Sequence, residues 1–196
     1  MIEIVLASDN RKKLSEMAEI LGQGDFRLMT KAEAGFTEEV EETGKTFEEN
    51  SFIKAKAVAD ATGKISVADD SGLTVDCLHG EPGVYSKRYA GENATDAERI
   101  DFLLKKIKET GSKDTSARFV SVITCVMPDG SHFSVKGVCE GKIIFEKRGE
   151  NGFGYDSLFY YPPFEQSFAE ISAERKNAVS HRSNALMMLL AALNTK

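Results

Sequence analysis

Ile2-Glu3-Ile4-Val5-Leu6-Ala7, running into Ser8-Asp9-Asn10-Arg11-Lys12-Lys13, decides the fold class. The first six residues form a short apolar, β-branched run that reads as a buried strand. Beyond Ser8-Asp9-Asn10 the apolar residues recur at Leu14, Met17, Ala18 and Leu21, a helical spacing, and Gly22 and Gly24 end the helix. Further along, Thr46 followed by Glu49 is a capping-box signature that opens a second helix to about Thr62, where Gly63 stops it. Ile65 to Asp69 reads as a strand leading into a turn at Asp70-Ser71-Gly72. Thr95 with Glu98 repeats the capping box ahead of Ile100, Leu103, Leu104 and Ile107. Phe119 to Met127, the turn Pro128-Asp129-Gly130 and the loose alternation of His132 to Phe145 give a hairpin. Gly149 to Gly154 interrupts the pattern. Ser180 to Leu193 is a last helix, apolar on most sides, to be packed inside or against a partner. The order β-α-α-β-α-β-β-α makes this an α/β protein with a mixed sheet covered by helices.

The chain has 196 residues, enough for one domain over 1–196 or two tightly packed lobes. With 41% apolar and 29% charged residues it is an ordinary globular sequence rather than a disordered one. A net charge of −6 argues against polymeric nucleic acid as a partner, which needs a basic surface, but leaves room for a local basic pocket. Cys77, Cys125 and Cys139 are widely spaced and lack a C-x-x-C pair, so neither a disulfide framework nor a zinc site is indicated. Glu3 interrupts the N-terminal apolar run, unlike a signal peptide. The apolar stretch from Ala185 to Leu193 is far short of the ~20 residues that span a bilayer. The expected setting is a reducing cytoplasm, with no membrane partner.

Five segments can carry chemistry. Ser8 to Lys13 lies at a helix N-terminus, where backbone N–H groups and the helix dipole suit a phosphate, with Lys12 and Lys13 adding charge. The plain alternative is a capped helix with a solvated basic first turn. Glu38-Glu39-Val40-Glu41-Glu42 can supply oxygen ligands for Mg²⁺, or form a solvated acidic loop. Ala68-Asp69-Asp70-Ser71-Gly72 offers adjacent carboxylates at a strand's end, where open sheets hold ligands, or an Asx-turn with Gly72 at positive φ. Gly152-Phe153-Gly154-Tyr155-Asp156 lets a ring and a backbone approach a flat ligand, or is a tight turn around a packed Phe. Lys176 with Ser180-His181-Arg182 is a donor cluster ahead of the last helix.

Together these segments resemble the inosine/xanthosine triphosphate pyrophosphatase family. The matching runs are Leu6 to Lys13, Glu42-Thr43-Gly44-Lys45-Thr46-Phe47 with Glu49-Asn50, and Ala68 to Val75. Then come Pro82-Gly83-Val84-Tyr85-Ser86 with Arg88-Tyr89-Ala90-Gly91, Gly152 to Asp156, Lys176, and Ser180-His181-Arg182. They occur in the family's order over nearly the whole chain. The resemblance implies an elongated mixed sheet, two lobes with the active-site cleft between them, and a homodimer. It implies Mg²⁺-dependent hydrolysis of inosine, deoxyinosine and xanthosine triphosphates to the monophosphate and pyrophosphate, clearing deaminated purines. Carried over by motif, Ser8, Asp9, Asn10, Arg11, Lys12 and Lys13 would contact the triphosphate. Asp70 would be proton acceptor and metal ligand, with Glu41 or its neighbour Glu42 the second ligand. Ser71, Phe153, Gly154, Tyr155, Asp156, Lys176, His181 and Arg182 would bind the nucleotide. Ser157 departs from the family, which commonly has proline there.

A 6-oxo purine presents an acceptor beside an N1–H donor and adenine presents the reverse, so donors from His181 or Arg182 would reward the oxo group. A related branch acting on modified pyrimidines or methylated nucleotides continues Leu-Ala-Ser with Ser-Pro-Arg-Arg, whereas Asp9-Asn10-Arg11-Lys12-Lys13 favours the purine branch. A nucleotide-binding regulator without turnover is a different class, against which the intact carboxylates argue.

Overall fold

The computed structural model describes residues 2–22 and 24–194. Its elements are β1 (Ile2–Leu6), α1 (Arg11–Leu21), β2 (Phe26–Thr30), α2 (Phe47–Thr62), β3 (Ile65–Val75), α3 (Asp96–Thr110), β4 (Ser116–Val126), β5 (His132–Ile143), β6 (Phe159–Tyr161), β7 (Gln166–Ser167), α4 (Ala173–Asn177) and α5 (His181–Asn194). The strands form one sheet in the order β2-β1-β3-β4-β5-β6-β7. β1 runs parallel to β2 and β3, whereas β6 is antiparallel to β5 and β7, so the sheet is mixed, as the sequence implies.

The helix ends follow local chemistry. Asn10 caps α1, accepting hydrogen bonds from the backbone N–H groups of Lys12 and Lys13 at 3.0 and 3.2 Å. Both expected capping boxes form, Thr46 with Glu49 on α2 and Thr95 with Glu98 on α3. Gly63 and Gly111 end these two helices in the left-handed conformation that glycine adopts without strain.

The chain divides into two compact units. The first comprises Met1–Asp70, Ser121–Gly137 and Arg182–Lys196, and the second Ser71–Val120 and Val138–His181. In the first unit, strand alternation sorts the core into two clusters. Ile4, Leu6, Val67, Ile123 and Cys125 pack with Met17, Ile20 and Leu21 of α1 and with Ala185, Leu186 and Leu189 of α5. Val5, Ala7, Ala68 and Val126, the intervening residues, pack with Ala55, Val58 and Ala59 of α2. The second unit has its own core, in which Leu73, Val75, Leu103, Ile107, Leu158, Phe159 and Phe168 are all fully buried.

Three expectations change. Asp70-Ser71-Gly72 is not a turn: β3 continues unbroken to Val75. Its central place between β1 and β4 supplies ladder partners that outweigh the local turn preference of Asp and Gly. A strand absent from the expected order, β2, lies between α1 and α2, and β6, β7 and α4 are also additional. Finally, α5 buries Ala185, Leu186, Leu189 and Leu193 while Met187 and Met188 stay exposed, so an apolar composition does not make the helix buried all round.

Candidate active site

In the first unit the site is built on the N-terminus of α1, the middle of β3 and α2. Successive residues of a strand face opposite ways, so Asp69 and Asp70 do not project together as two carboxylates in a turn would. The Asp69 side chain meets α1, β4 and α5. Lys13 Nζ stands at 2.9 Å and Arg182 Nε at 3.2 Å, and the Ser121 hydroxyl donates at 2.5 Å. The same guanidinium pairs with Glu16 through Nη1. Burial opposes ionisation of Asp69, but the two cations and the Ser121 hydrogen bond reverse it and hold the carboxyl far below its ordinary range.

Asp70 is buried on the α2 side, with Lys54 Nζ at 3.6 Å. Lys54 sits closer to Glu42 Oε1, at 2.8 Å, and donates to the Asp69 carbonyl at 3.0 Å. Burial pushes the Asp70 carboxyl up; Lys54 and Lys13 pull it down, Glu42 and Asp69 push it up again, and the net direction is upward. Burial alone would lower Lys54, but Asp70 and Glu42 turn that shift upward, so the ammonium is held. Lys13 goes the other way: burial outweighs Asp69, and nearby Arg182 and Lys54 add to the lowering.

The acidic run contributes through Glu42, which reaches Lys54, while Glu41 is exposed. The backbone next to it is held by Asn50, fully buried, whose Oδ1 accepts from Gly44 N at 2.8 Å. Glycine is required at 44, because a Cβ there would lie 2.6 Å from that Oδ1 and 2.7 Å from Glu49 Cβ. Among the described residues no three or more of His, Cys, Asp and Glu gather as a metal-binding group. Asp70 and Glu42 are two oxygen donors of the kind a hard cation takes, and both reach Lys54.

The N-terminal loop is less open than its sequence suggests. Ser8 Oγ accepts from Asn10 N at 3.2 Å, and Asn10 caps the helix. Asp9 pairs with Lys31 at 2.7 Å, a buried lysine that also donates to the Glu38 carbonyl. Arg11 and Lys12 are exposed and Lys13 is half-buried against Asp69.

In the second unit Gly152 to Asp156 forms a tight loop. Gly152 has φ +77°, and a Cβ there would fall 2.1 Å from Asp156 Oδ2. That oxygen accepts from Phe153 N at 2.9 Å and from Lys176 Nζ at 2.7 Å. The buried ammonium of Lys176 lies 5.0 Å from the Phe153 ring centroid and 5.7 Å from that of Phe168. Tyr155 is buried, donates its hydroxyl to the Ser86 carbonyl at 2.8 Å, and has its phenol pushed up by burial. His181 stacks on Phe119 with centroids 4.8 Å apart. Ser71 is half-buried and Ser180 buried. The donor cluster read from Lys176 to Arg182 thus separates: Lys176 serves Asp156, His181 lies on Phe119, and Arg182 serves Asp69 and Glu16.

This geometry can be set beside known proteins. A model of the Ham1 family matches residues 4–192. The chain belongs to the Ham1 family. A dITP/XTP pyrophosphatase of Desulfotalea psychrophila is 47% identical to this Ham1 chain over 188 residues, covering 96% of it and 83% of the relative. The HAM1 protein of Coxiella burnetii is 45% identical, with a TM-score of 0.94 and complete coverage of both chains. The Staphylococcus aureus Ham1 protein is 44% identical, with a TM-score of 0.90 over 98% of each chain.

Several residues of the Ham1 site carried no signal of their own in the sequence. Lys54, Lys31, Ser121 and Asp96 are single polar residues inside otherwise regular helices, strands and turns. Only tertiary packing brings them to Asp70, Asp9, Asp69 and the glycine loop. Asp69 lies beside Asp70 in the sequence, and alternation along β3 is the sign that its partners differ from those of Asp70.

Proposed function

We propose that this Ham1 chain hydrolyses inosine, deoxyinosine and xanthosine triphosphates to the monophosphate and pyrophosphate, clearing deaminated purines from the nucleotide pool. The observation that carries the reading is Asp70: a buried carboxylate of raised pKa that shares Lys54 with Glu42, in a chain whose relative named dITP/XTP pyrophosphatase is 47% identical.

Asp70 accepts the proton of the attacking water, and its upward-shifted pKa makes it a stronger base than a solvated aspartate. Asp70 and Glu42, or Glu41 one residue away, would hold Mg²⁺, which when bound supplies positive charge to phosphate oxygens and to the departing pyrophosphate. Lys54, Lys13, Lys12 and Arg11 orient the triphosphate, with Ser8 and the capped end of α1 beside them. Asp69 acts through Lys13, holding its ammonium in place at 2.9 Å. Arg182 supports Asp69 through Nε and pairs with Glu16 through Nη1, and with His181 it would offer donors to the 6-oxo group; Asp9 is engaged by Lys31.

The glycine loop takes the base. Phe153 offers a ring face, Asp156 and Lys176 a polar pair, Gly154 and Tyr155 the backbone between them, and Ser71 and His181 further polar groups. The reading includes a homodimer, to be checked by sedimentation, and a cytoplasmic setting, which suits three free cysteines. No helix among the described residues is long and apolar enough to cross a membrane.

Pyrophosphate release with Mg²⁺ from inosine, deoxyinosine, xanthosine, adenosine and guanosine triphosphates tests the proposal. The first three should turn over fast, the last two weakly, and Asp70→Asn should lose nearly all activity while staying folded. No release from any of them overturns the function; equal release from all five overturns the base selectivity.

A further inference from the structure

The glycine loop is held from outside by Asp96 and Arg99, which lie in none of the matching runs. Asp96, the first residue of α3, accepts a hydrogen bond from Gly154 N through Oδ2 at 2.8 Å. Its other oxygen, Oδ1, pairs with the Arg99 guanidinium one turn along the helix. That guanidinium also donates through Nη1 to the carbonyls of Lys87, at 2.9 Å, and Ala94. One residue back from Lys87, the Ser86 carbonyl accepts the Tyr155 hydroxyl, and the Ser86 hydroxyl donates to the Gly83 carbonyl at 2.6 Å and accepts from Leu73 N at 2.9 Å. The segment from Gly83 to Ala94 and the loop from Gly152 to Asp156 are therefore fastened at two points, by Tyr155 on Ser86 and by the Arg99–Asp96 pair on Gly154.

The two fasteners differ chemically. Tyr155 is buried and neutral, and its removal would open the core. Asp96 is about half exposed, at 48% of its side chain, so it adds little to packing. Its carboxylate nonetheless makes a charge-assisted bond to the backbone between Phe153 and Tyr155, the stronger kind of hydrogen bond. Without it Gly154, at φ +60° and with open space around its missing side chain, has nothing from its own side chain to hold that conformation.

We propose that Asp96, locked by Arg99, is a positioning residue that presets the base-binding loop. The inference rests on the reading of that loop given above. Asp96 acts on the backbone of the base-binding loop, so it governs affinity for the base and not the chemical step.

The test compares Asp96→Ala and Asp96→Asn with Thr95→Ala, which weakens the same helix end but leaves the bond to Gly154. For Asp96→Ala the KM for inosine triphosphate should rise about tenfold, the scale of one lost hydrogen bond to a charged group, with kcat retained. The Kd of inosine monophosphate, measured by calorimetry, should weaken in parallel. The inhibition constant of inorganic tripolyphosphate, which lacks a base, should not move. Asp96→Asn, which keeps an acceptor for Gly154, should recover part of the affinity, and Thr95→Ala should lower Tm without changing KM. An unchanged KM and Kd in Asp96→Ala, an equal loss of tripolyphosphate binding, or the same KM change in Thr95→Ala would overturn the inference. Wild-type protein that binds inosine monophosphate but releases no pyrophosphate would instead sink the hydrolase reading, and the monophosphate Kd would still judge Asp96.

Discussion

Replacing Asp69 by asparagine separates the structural role of this carboxylate from the catalytic role proposed for its neighbour. Asp69 is 1% exposed and faces Lys13, Arg182 and Ser121 at 2.9, 3.2 and 2.5 Å. Removing one member of a buried ion-pair network costs about 3–5 kcal/mol, because the partners stay buried without compensation. Here Arg182 keeps Glu16, so the lower end applies, about 3 kcal/mol. For a chain of this length that is a fall in Tm of roughly 6–12 °C. The pH dependence has a definite sign. The folded carboxyl lies below its unfolded value, so its stabilisation is complete above about pH 4 and is lost as pH falls from there towards the folded pKa. Asp69→Asn should therefore lose stability at neutral pH and lack this acid dependence. A second effect follows at Lys13, whose ammonium burial already disfavours. With Asp69 neutral, its pKa drops further, and KM for the triphosphate should climb more steeply with pH than in the wild type. Urea unfolding at pH 4 to 8 and KM over the alkaline range measure both. A loss at neutral pH below about 1 kcal/mol, the range of exposed ion pairs, would refute the network as a stabilising element.

Asp70→Asn should behave oppositely: inactive, yet at least as stable as the wild type at pH 7. A carboxyl raised above its unfolded value loses stability as pH climbs from the unfolded to the folded pKa, and the amide avoids that loss. Thermal unfolding checks it, and a marked fall in Tm would contradict the charge balance drawn around Lys54. Gly44→Ala would place a methyl 2.6 Å from Asn50 Oδ1 and displace the backbone beside Glu42. It should raise the Mg²⁺ concentration needed for half-maximal pyrophosphate release several-fold while leaving the preference for inosine over adenosine unchanged; an unshifted Mg²⁺ curve would remove Glu42 from the metal-holding role.

Local chemistry was legible wherever a few neighbouring residues decide the outcome. Thr46 with Glu49, Thr95 with Glu98, and Gly63 placed the starts of α2 and α3 and the end of α2, because a capping box satisfies helix-terminal N–H groups within one turn. β2 escaped because its alternation is shallow: no residue from Phe26 to Thr30 is fully buried, and Arg27 turns outward to Glu3. The candidate site was legible as a set of segments and not as a set of contacts. Arg182 read as a donor for a base because it stands beside His181, and nothing local signalled that its guanidinium also meets Asp69, 113 residues earlier in the chain.

The two aspartates carry this furthest. A pair of carboxylates in a turn would share solvent and each other's repulsion, and would titrate as a pair. Placed on a continuous strand, they are driven to opposite faces by a repeat of two, and each meets a different helix set. On the α1–α5 side two cations and a hydroxyl surround Asp69, fixing it as a charged structural centre. On the α2 side Asp70 shares Lys54 with Glu42, and burial, with Glu42 and Asp69 adding to it, raises its pKa. A group held as firmly charged as Asp69 gains little by taking a proton, so it is poorly suited to act as a base, whereas Asp70 is suited to that task and to attracting a cation. The division of labour arises from β3 continuing past Asp70 to Val75, because a turn at that point would have put both carboxylates in one environment.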